Sequence, residues 1–325
     1  MKIDKSQVSR ILVITLSNVG DIILTTPVIK ALTKAFPASR IDMMVGPQGK
    51  EIFERDPAIF KLIIYDKHMP ISDKRRLQLK LKKLKYDLVV DIRNTVFPIL
   101  IGPKYRTPTI RKYPSSLTHR KKRHMYLLKT LGIDGMDEES YIYVPKEDEE
   151  YIDSLLKIEN IAAPIVVINA GAKSHLKRWT REGFAEVSDR LISECGASVI
   201  FVGKKEDQDM VNDIIAKTKQ GTHNFTDKTN VRQLAGLLKR AKLVITNDSA
   251  PLHLSCAVGA KVLAIFGPTD PRKYGPTGEY DEVIVKKLSC SPCEVAACVH
   301  NYECMKLITP DEVFDAAKVI LEGYE

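Results

Sequence analysis

The sequence lacks any apolar run long enough to cross a membrane. A spanning helix needs roughly 20 consecutive apolar residues, and the first apolar run, residues 11–16, is far shorter. The same run is too short for the core of a secretory signal, and the residues before it are polar and mixed in charge. We therefore expect a protein that stays in the cytoplasm, and we interpret residues 11–16 as a first strand.

Further absences argue against several classes of binding protein. The loop after this strand is not Gly-x-Gly-x-x-Gly, so a dinucleotide fingerprint is weak here. Aromatic residues are few near the basic runs, and no RNA-binding motif occurs. The only Asp-x-Asp, Asp207-Gln208-Asp209, stands at a charged helix start, where solvated carboxylates explain it as well as a metal site does. We expect no metal, no cofactor and no nucleic-acid partner.

Positive charge is what the sequence has in excess. The formal net charge of the 325 residues is +9, which favours a polyanionic partner. Seven Lys/Arg and no acid fall between Lys74 and Tyr86, and eight Lys/Arg and no acid fall between Lys104 and His124. Each run is compatible with a solvated helix face, but two in one half of the chain favour an anionic ligand. A nucleic-acid-binding protein is therefore the rival class to an enzyme with a phosphorylated substrate.

Strand and helix patterns alternate along the whole chain. A single core stops growing near about 250 residues, so the length favours two domains. Apolar runs bounded by polar loops are typical of parallel strands in α/β domains, and they fall at 11–16, 41–45, 62–65, 88–91, 165–169, 198–202, 243–246 and 262–266. We predict two Rossmann-like domains, residues 1–160 and 161–325. Their parallel sheets are expected to face an interdomain cleft, since ligands bind at the carboxyl ends of such strands.

The loop after the first strand reads Leu16-Ser17-Asn18-Val19-Gly20-Asp21. Gly20 permits a tight turn, and Asp21 then falls in the first turn of a helix, facing the expected cleft. A carboxylate there is stabilised by the helix dipole and can accept a proton from a bound hydroxyl. Asp is also a favoured capping residue, so a purely structural role for Asp21 stays open.

The loop that follows residues 165–169 combines small and basic residues. Gly171 and Ala172 allow the backbone to approach a phosphate, and Lys177 and Arg178 bring positive charge to the same place. A leaving nucleoside diphosphate needs such charge, because negative charge grows on its oxygens in the transition state. The alternative is a basic surface loop.

Two more polar loops follow later strands. Asp248 is predicted to cap a helix whose first amides, at Ser249 and Ala250, would form an anion seat. His253 lies one turn in and is interpreted either as a ligand contact or as a structural histidine. Gly267-Pro268-Thr269-Asp270-Pro271 is a fourth polar loop at the same edge, which favours one shared site.

Four cysteines are clustered near the end of the chain with the spacing C-x2-C-x4-C-x5-C: Cys290, Cys293, Cys298 and Cys304. Four thiolates can hold zinc or an iron–sulfur cluster, but the spacing is not that of a standard zinc ribbon. Metal binding, disulfides and free structural thiols therefore stay open, with a structural role expected in each case.

The four loops together resemble those of the bacterial lipopolysaccharide heptosyltransferases, glycosyltransferase family 9, over nearly the whole chain. The resemblance rests on Leu16–Asp21 with Thr25-Thr26-Pro27, on Gly171-Ala172 with Lys177-Arg178-Trp179, on Asn247–His253, and on Phe266–Pro271. It implies a GT-B fold and an inverting, metal-independent transfer of heptose from ADP-heptose to the inner core of lipopolysaccharide. A related transferase that uses another nucleotide-sugar is the alternative.

The resemblance also implies roles for particular residues. Asp21 would be the general base, Lys177 would bind the diphosphate, and the second domain would hold the donor through Gly171, Ala172, Arg178, Glu206, Asp248, Ser249, Ala250, His253, Thr269 and Asp270. The first domain would hold the acceptor. In the loop after the first strand, the predicted acceptor-binding residues are Ser17, Asn18 and Gly20. Since the acceptor is a polyanion, we add residues from the two basic runs: Lys74, Arg75, Arg76, Arg120, Lys121, Lys122 and Arg123. The same runs would favour contact with the anionic cytoplasmic face of the inner membrane.

Overall fold

The computed structural model describes residues 3–323 and divides the chain into two compact units between Tyr143 and Val144. Each unit has one parallel β-sheet with helices packed on it, so the predicted pair of Rossmann-like α/β domains is confirmed. Within residues 3–323, none of the helices combines the length and the apolar character that a membrane crossing demands.

The first unit contains a five-stranded sheet in the order β3-β2-β1-β4-β5, with every pair parallel. The strands are β1 (Arg10–Ile14), β2 (Arg40–Val45), β3 (Lys61–Ile64), β4 (Leu88–Asp91) and β5 (Tyr105–Arg106). The helices are α1 (Val19–Ile23), α2 (Thr26–Ala35), α3 (Lys50–Phe53), α4 (Ile71–Lys83), α5 (Phe97–Ile101) and α6 (Arg120–Lys129). Strand β4 and all but the first residue of β1 are buried, as their unbroken apolar sequences predict.

The strand order of this sheet reverses between β1 and β4, which pair in register from Ile11↔Leu88 to Ile14↔Asp91. The chain builds β2 and β3 on one side of β1 and then returns to add β4 on the other side. Ligands of open parallel sheets bind outside the carboxyl ends of the strands at such a point. The loops after Ile14 and Asp91 are therefore the ligand-binding edge of the first unit.

The second unit contains a six-stranded parallel sheet in the order β11-β10-β9-β6-β7-β8. Numbered one to six within the unit, the strands follow the Rossmann order, with the reversal between β6 and β9. The strands are β6 (Ile165–Asn169), β7 (Ser198–Phe201), β8 (His223–Asn224), β9 (Leu243–Asn247), β10 (Val262–Phe266) and β11 (Glu282–Val285). The helices are α7 (Lys146–Ile158), α8 (Arg181–Cys195), α9 (Gln208–Ile215), α10 (Val231–Arg240), α11 (Ala250–Ala257), α12 (Pro271–Tyr274), α13 (Glu303–Lys306) and α14 (Pro310–Glu322).

Helix α7 explains why the division at 143/144 falls before the boundary expected near residue 160. This acidic helix packs on the basic helix α10 of the second unit. Asp148 Oδ2 lies 2.8 Å from Arg232 Nε with both side chains buried, and Glu149 and Asp153 pair with Lys239 and Arg240 at 2.9 and 2.6 Å. The acidic helix at the start of the second unit is thus part of that unit and packs on α10.

Two helices of the second unit begin at threonine caps. Thr180 Oγ1 accepts a hydrogen bond of 3.1 Å from the N–H of Gly183 and caps α8. Thr309 and Glu312 form a reciprocal capping box at the start of α14. The indole N–H of Trp179 donates to the carbonyl oxygen of Ile308 at 3.0 Å, so the loop before α8 is fastened to the segment before α14.

Candidate active site

Two asparagines join the strand-end loops at the reversal point of the second sheet. Asn169 ends β6, and its Nδ2 lies 2.8 Å from the carbonyl oxygen of Gly171 and 3.0 Å from Ser249 Oγ. Asn247 ends β9, donates to the carbonyl oxygen of Ala170 at 2.8 Å and accepts from the N–H of Trp179 at 3.1 Å. Both side chains are buried. The loops after β6 and β9 are therefore built as one hydrogen-bonded unit.

Lys177 and Asp248, predicted separately, meet at this edge. Lys177 Nζ lies 2.6 Å from Asp248 Oδ2, and the Asp248 side chain is only 7% exposed whereas that of Lys177 is 32% exposed. Burying a carboxylate is costly unless it is paired, so the ion pair fixes the ammonium group in place. An ammonium group has three donors, which leaves capacity for an anion on its exposed side.

The predicted helix cap at Asp248 is wrong by one residue. Helix α11 begins at Ala250 and its N-cap is Ser249, whose side chain makes no capping hydrogen bond. The reason is that Asp248 is engaged by Lys177, while Ser249 Oγ is engaged by Asn169. Pro251 lies in the first turn of α11, as expected of an early helical position.

Gly171 is buried beside a carboxylate that the sequence did not connect with it. A Cβ at Gly171 would lie 2.9 Å from the carboxylate carbon and oxygens of Asp207, so no larger residue fits without movement. Asp207 Oδ2 also accepts the N–H of Lys204 at 3.1 Å. Ala172 is buried, and its carbonyl oxygen accepts from Arg178 Nε at 3.0 Å. Glu206 lies exposed in the single 3-10 turn Lys205–Asp207 after β7.

The remaining predicted donor residues are buried. Asp270 caps α12 by accepting the N–H of Arg272 at 2.9 Å, and the Arg272 guanidinium beside it lowers the pKa of its carboxyl group. Thr269 is buried in the loop that follows β10. His253 is buried within α11. These contacts give Asp270 a structural role as a helix cap, so a ligand contact for it stays a prediction.

In the first unit, Asp21 lies on α1, a helix of five residues that starts just after β1. Its Oδ2 accepts a hydrogen bond of 3.0 Å from Asn18 Nδ2, and the carboxylate is half-buried. Gly20 lies inside this helix and is buried, where a tight turn was expected. Ser17 is half-buried and Asn18 is exposed, so this loop presents polar groups at the binding edge of the sheet.

A histidine that the sequence did not single out contacts the end of the helix that carries Asp21. His124, on α6, is 8% exposed, and its Nδ1 is 3.1 Å from the carbonyl oxygen of Leu24, the C-cap of α1. Burial lowers the pKa of His124 to about 4; the bond to Leu24 and the charge of Asp21 oppose that shift, whereas Arg120 and Arg111 add to it. The imidazole is therefore neutral near pH 7, and the charges of Asp21, Arg120 and Arg111 all act on it.

The neighbouring strand end carries a second missed group. Asp91, the last residue of β4, is buried and accepts hydrogen bonds from the backbone of Asn94 and Thr95. Arg111 donates to the carbonyl oxygens of Ile92, at 2.8 Å, and of Asp91. Burial raises the pKa of Asp91, and the hydrogen bonds and Arg111 oppose that shift.

The predicted basic acceptor residues occupy two helices. Lys74, Arg75 and Arg76 lie on α4, which packs on α5, and Arg76 pairs with Asp73 at 3.3 Å. Residues 120–123 form the first turn of α6, where Arg123 donates to the carbonyl oxygen of Leu117 at 2.7 Å. Among these residues, Arg120 acts through its charge on His124, the imidazole that the charge of Asp21 also affects.

The four clustered cysteines are free thiols, and no disulfide joins them. Together with His300 and Leu176 they line an apolar cavity of about 400 Å³ beside the loop after β10. Burial and the other three thiols raise the pKa of Cys304. Over the described range, residues 3–323, no group of three or more His, Cys, Asp or Glu side chains has an arrangement that could hold a metal ion.

Comparison with known proteins identifies relatives over most of the chain. The model of glycosyltransferase family 9 (heptosyltransferase) matches residues 109–303. Lipooligosaccharide heptosyltransferase 2 of Campylobacter jejuni serotype O:2 is 33% identical over 165 residues, which are 49% of this chain and 51% of that protein. The serotype O:6 protein of the same name is 26% identical over 310 residues, which are 92% of this chain and 95% of that protein.

Solved structures share the fold. A family 9 glycosyl transferase of Veillonella parvula aligns with a TM-score of 0.83 at 24% identity and covers 97% of both chains. The ADP-heptose lipopolysaccharide heptosyltransferase II of Escherichia coli aligns with a TM-score of 0.77 at 22% identity, over 96% of this chain and 98% of that one.

The two Rossmann-like units have the GT-B fold, which the aligned heptosyltransferase structure shares, and the family match and the curated relatives identify the chain as a glycosyltransferase. The chain belongs to glycosyltransferase family 9 (heptosyltransferase), whose model spans well over half of its length.

Proposed function

We propose that this enzyme transfers heptose from ADP-heptose to the inner core of lipopolysaccharide, with inversion at the anomeric carbon and without a metal ion. The observation that carries the proposal is the Lys177–Asp248 pair at the reversal point of the second sheet, where a lysine side chain that is 32% exposed is fixed by a buried carboxylate. Relatives that are themselves named as heptosyltransferases of lipooligosaccharide or lipopolysaccharide support the choice of donor and acceptor.

The second unit is proposed to bind the donor. Lys177 and the first amides of α11, at Ser249 and Ala250, would receive the diphosphate oxygens. The asparagine hydrogen bonds between the β6 and β9 loops hold the lysine and the amide groups in place before the nucleotide-sugar binds. Little reorganisation is therefore needed during the reaction. Gly171, Ala172 and Arg178 belong to the same loop, and Glu206, His253, Thr269 and Asp270 are proposed to complete the donor site.

The first unit is proposed to bind the acceptor and to supply the base. Asp21 takes the proton of the acceptor hydroxyl as its oxygen forms a bond to the anomeric carbon. The bond between that carbon and the diphosphate oxygen breaks on the opposite face, and ADP leaves with the electron pair. One displacement of this kind inverts the configuration. Ser17, Asn18, Gly20 and the basic residues at the start of α6 would orient the acceptor.

The charge that develops on the leaving ADP must be stabilised by some group. Lys177 and the α11 amides supply a cation and hydrogen-bond donors at one strand edge, so we propose that the reaction does not depend on a divalent ion.

The helix pair α4 and α5 is proposed to rest on the anionic inner membrane. We define the α4–α5 surface as the exposed apolar residues Leu79, Ile99 and Leu100, which are 50%, 54% and 45% exposed, with the exposed basic residues Arg75, Arg76, Lys82 and Lys83. Gln78 Nε2 on α4 donates to the carbonyl oxygen of Leu100 on α5 at 3.3 Å, which joins the two helices. Apolar side chains flanked by Lys and Arg are typical of helices that lie in a membrane interface.

A donor panel tests the proposed reaction. The purified enzyme is given ADP-heptose, UDP-N-acetylglucosamine or another nucleotide-heptose, together with a heptose-deficient lipopolysaccharide core. Nucleotide release, product mass and the anomeric configuration by NMR are measured, with and without EDTA. We expect acceptor-dependent ADP release, an inverted product and no effect of EDTA. Preference for another nucleotide-sugar, or activity that EDTA removes and Mg²⁺ restores, would overturn the corresponding part of the proposal.

A further inference from the structure

Helix α1 is unusual in how its last carbonyl groups are bound. A helix of only five residues cannot satisfy these groups internally. Thr25 Oγ1 donates to the carbonyl oxygen of Ile22 at 2.6 Å, and Thr26 Oγ1 donates to that of Ile23 at 2.8 Å. The third carbonyl oxygen, that of Leu24, is contacted by His124 from another helix. Side-chain hydrogen bonds therefore fix the C-terminal end of α1.

The histidine contact joins the end of α1 directly to a distant part of the chain, and the N–H of Tyr141 makes a second long-range link by donating to Thr26 Oγ1 at 2.9 Å. His124 lies 100 residues from Leu24 in sequence, whereas the two threonines act within three residues. A carbonyl oxygen only accepts, so Nδ1 of His124 carries the proton and donates at 3.1 Å. With Nδ1 protonated and the ring neutral, Nε2 is an acceptor. The tautomer is thus set by the backbone of the helix that carries Asp21.

We propose that His124 is a positioning residue for the transfer reaction: by binding the carbonyl oxygen of Leu24, it fixes α1 and with it the carboxylate of Asp21. This inference rests on the proposed role of Asp21 as the base. The charged groups that face the imidazole are Asp21, on α1, with Arg120, on its own helix, and Arg111, from the preceding segment. The imidazole itself does not exchange a proton with the acceptor in this scheme.

Two substitutions separate the hydrogen bond from the packing of the ring. His124→Leu fills similar space without a donor, and His124→Asn places an amide N–H where Nδ1 stood. A base misplaced by about 1 Å can lose about 100-fold in rate. We expect His124→Leu to lower kcat by about 10- to 100-fold with the donor KM little changed, and His124→Asn to recover most of that loss. Thr130→Val is the matched control, because it removes a bond to the carbonyl of Leu127 at the other end of α6.

A double-variant cycle decides whether the histidine acts through Asp21. If it does, His124→Leu should cost little further activity in an enzyme that already carries Asp21→Asn. Equal losses in both backgrounds, or full activity of His124→Leu, would overturn the inference while leaving the proposed function intact. An Asp21→Asn enzyme with full activity would instead refute the proposed base. Loss of activity in His124→Asn equal to that in His124→Leu would overturn the positioning role, and melting temperatures would show whether folding accounts for it.

Discussion

The two strand-edge sites hold their charged groups in different ways. In the second unit, Lys177 is paired at 2.6 Å with a buried carboxylate, and asparagines join the loops around it. In the first unit, Asp21 has one described hydrogen bond, from the exposed side chain of Asn18. Most of the described side-chain hydrogen bonds in this region go to the backbone of the helix that carries Asp21. The proposed base is thus left accessible, whereas the proposed charge-stabilising lysine is held in place.

The largest effect should come from removing the accessible carboxylate. Asp21→Asn keeps the size of the side chain and abolishes its basicity, and general base catalysis contributes about 100- to 10,000-fold. We expect kcat to fall about 1,000-fold with ADP affinity unchanged, measured by product formation and by calorimetry. Asp134→Asn, which neutralises an exposed carboxylate elsewhere in the first unit, is the control and should keep the wild-type rate. An Asp21→Asn enzyme that binds ADP poorly would mean that the two sites are not separate in function.

The second effect concerns the fixed cation. Lys177→Met alone would leave Asp248 buried and unpaired, at a cost of about 3–5 kcal/mol in the free energy of unfolding. The double variant Lys177→Met/Asp248→Asn avoids this, and we expect it to lose several hundred-fold in kcat, because removal of one transition-state donor costs about 100- to 1,000-fold. Lys173→Met, an exposed lysine of the same loop, should stay near the wild-type rate. Normal kcat and ADP affinity in the double variant would remove Lys177 from the mechanism.

The third prediction concerns how acid changes the stability that His124 contributes to the folded protein. The pKa of His124 is about 4 in the folded protein against 6.5 for the free group, so between these values the unfolded chain binds more protons. Stability from this group is therefore present above pH 6.5 and is lost as the pH falls toward 4, by up to about 3 kcal/mol. The difference between wild type and His124→Asn in chemical denaturation at pH 7 and pH 4.5 measures it. A difference that does not change with pH would contradict the buried, neutral imidazole.

The smallest effect is expected at the α4–α5 surface. The double variant Leu79→Ser/Ile99→Ser should bind vesicles of phosphatidylglycerol and phosphatidylcholine about tenfold more weakly. A fully buried apolar side chain contributes about 1.5–3 kcal/mol, and a side chain in the membrane interface is buried only in part, so the expected loss is small. Ile158→Ser, a 74% exposed residue of the second unit, is the matched control. Sedimentation with vesicles gives the affinities. Equal binding by all variants would assign membrane contact to charge alone or to another surface.

Much of this architecture could be predicted because buried parallel strands leave a strong sequence signal. The apolar runs of β1, β6, β9 and β10 marked the positions of all four polar loops. The hydrogen bonds of Asn169 and Asn247 could not be predicted. Each side chain reaches the loop after the other strand only because β6 and β9 are neighbours in the sheet. The cap at Asp248 was misassigned for the same kind of reason, because a tertiary ion pair competes with local capping.

Residues far apart in sequence account for the other differences. Nothing near His124 indicates that its ring will reach the carbonyl of Leu24, and a basic run around it points to solvent. The acidic residues 147–150 suggest a linker until α10 is known to lie against them. Gly20 reads as a turn residue, yet it lies inside α1.

Helix α7 determines where the chain can be divided into stable fragments. A fragment that starts at residue 161 would lose Asp148 and Ile152, both buried against the second unit, and would expose part of α10. A fragment that starts at residue 144 keeps the acidic helix with its basic counterpart, as one piece of folded protein. Nucleotide binding by an isolated carboxyl-terminal half should therefore be sought in the longer fragment.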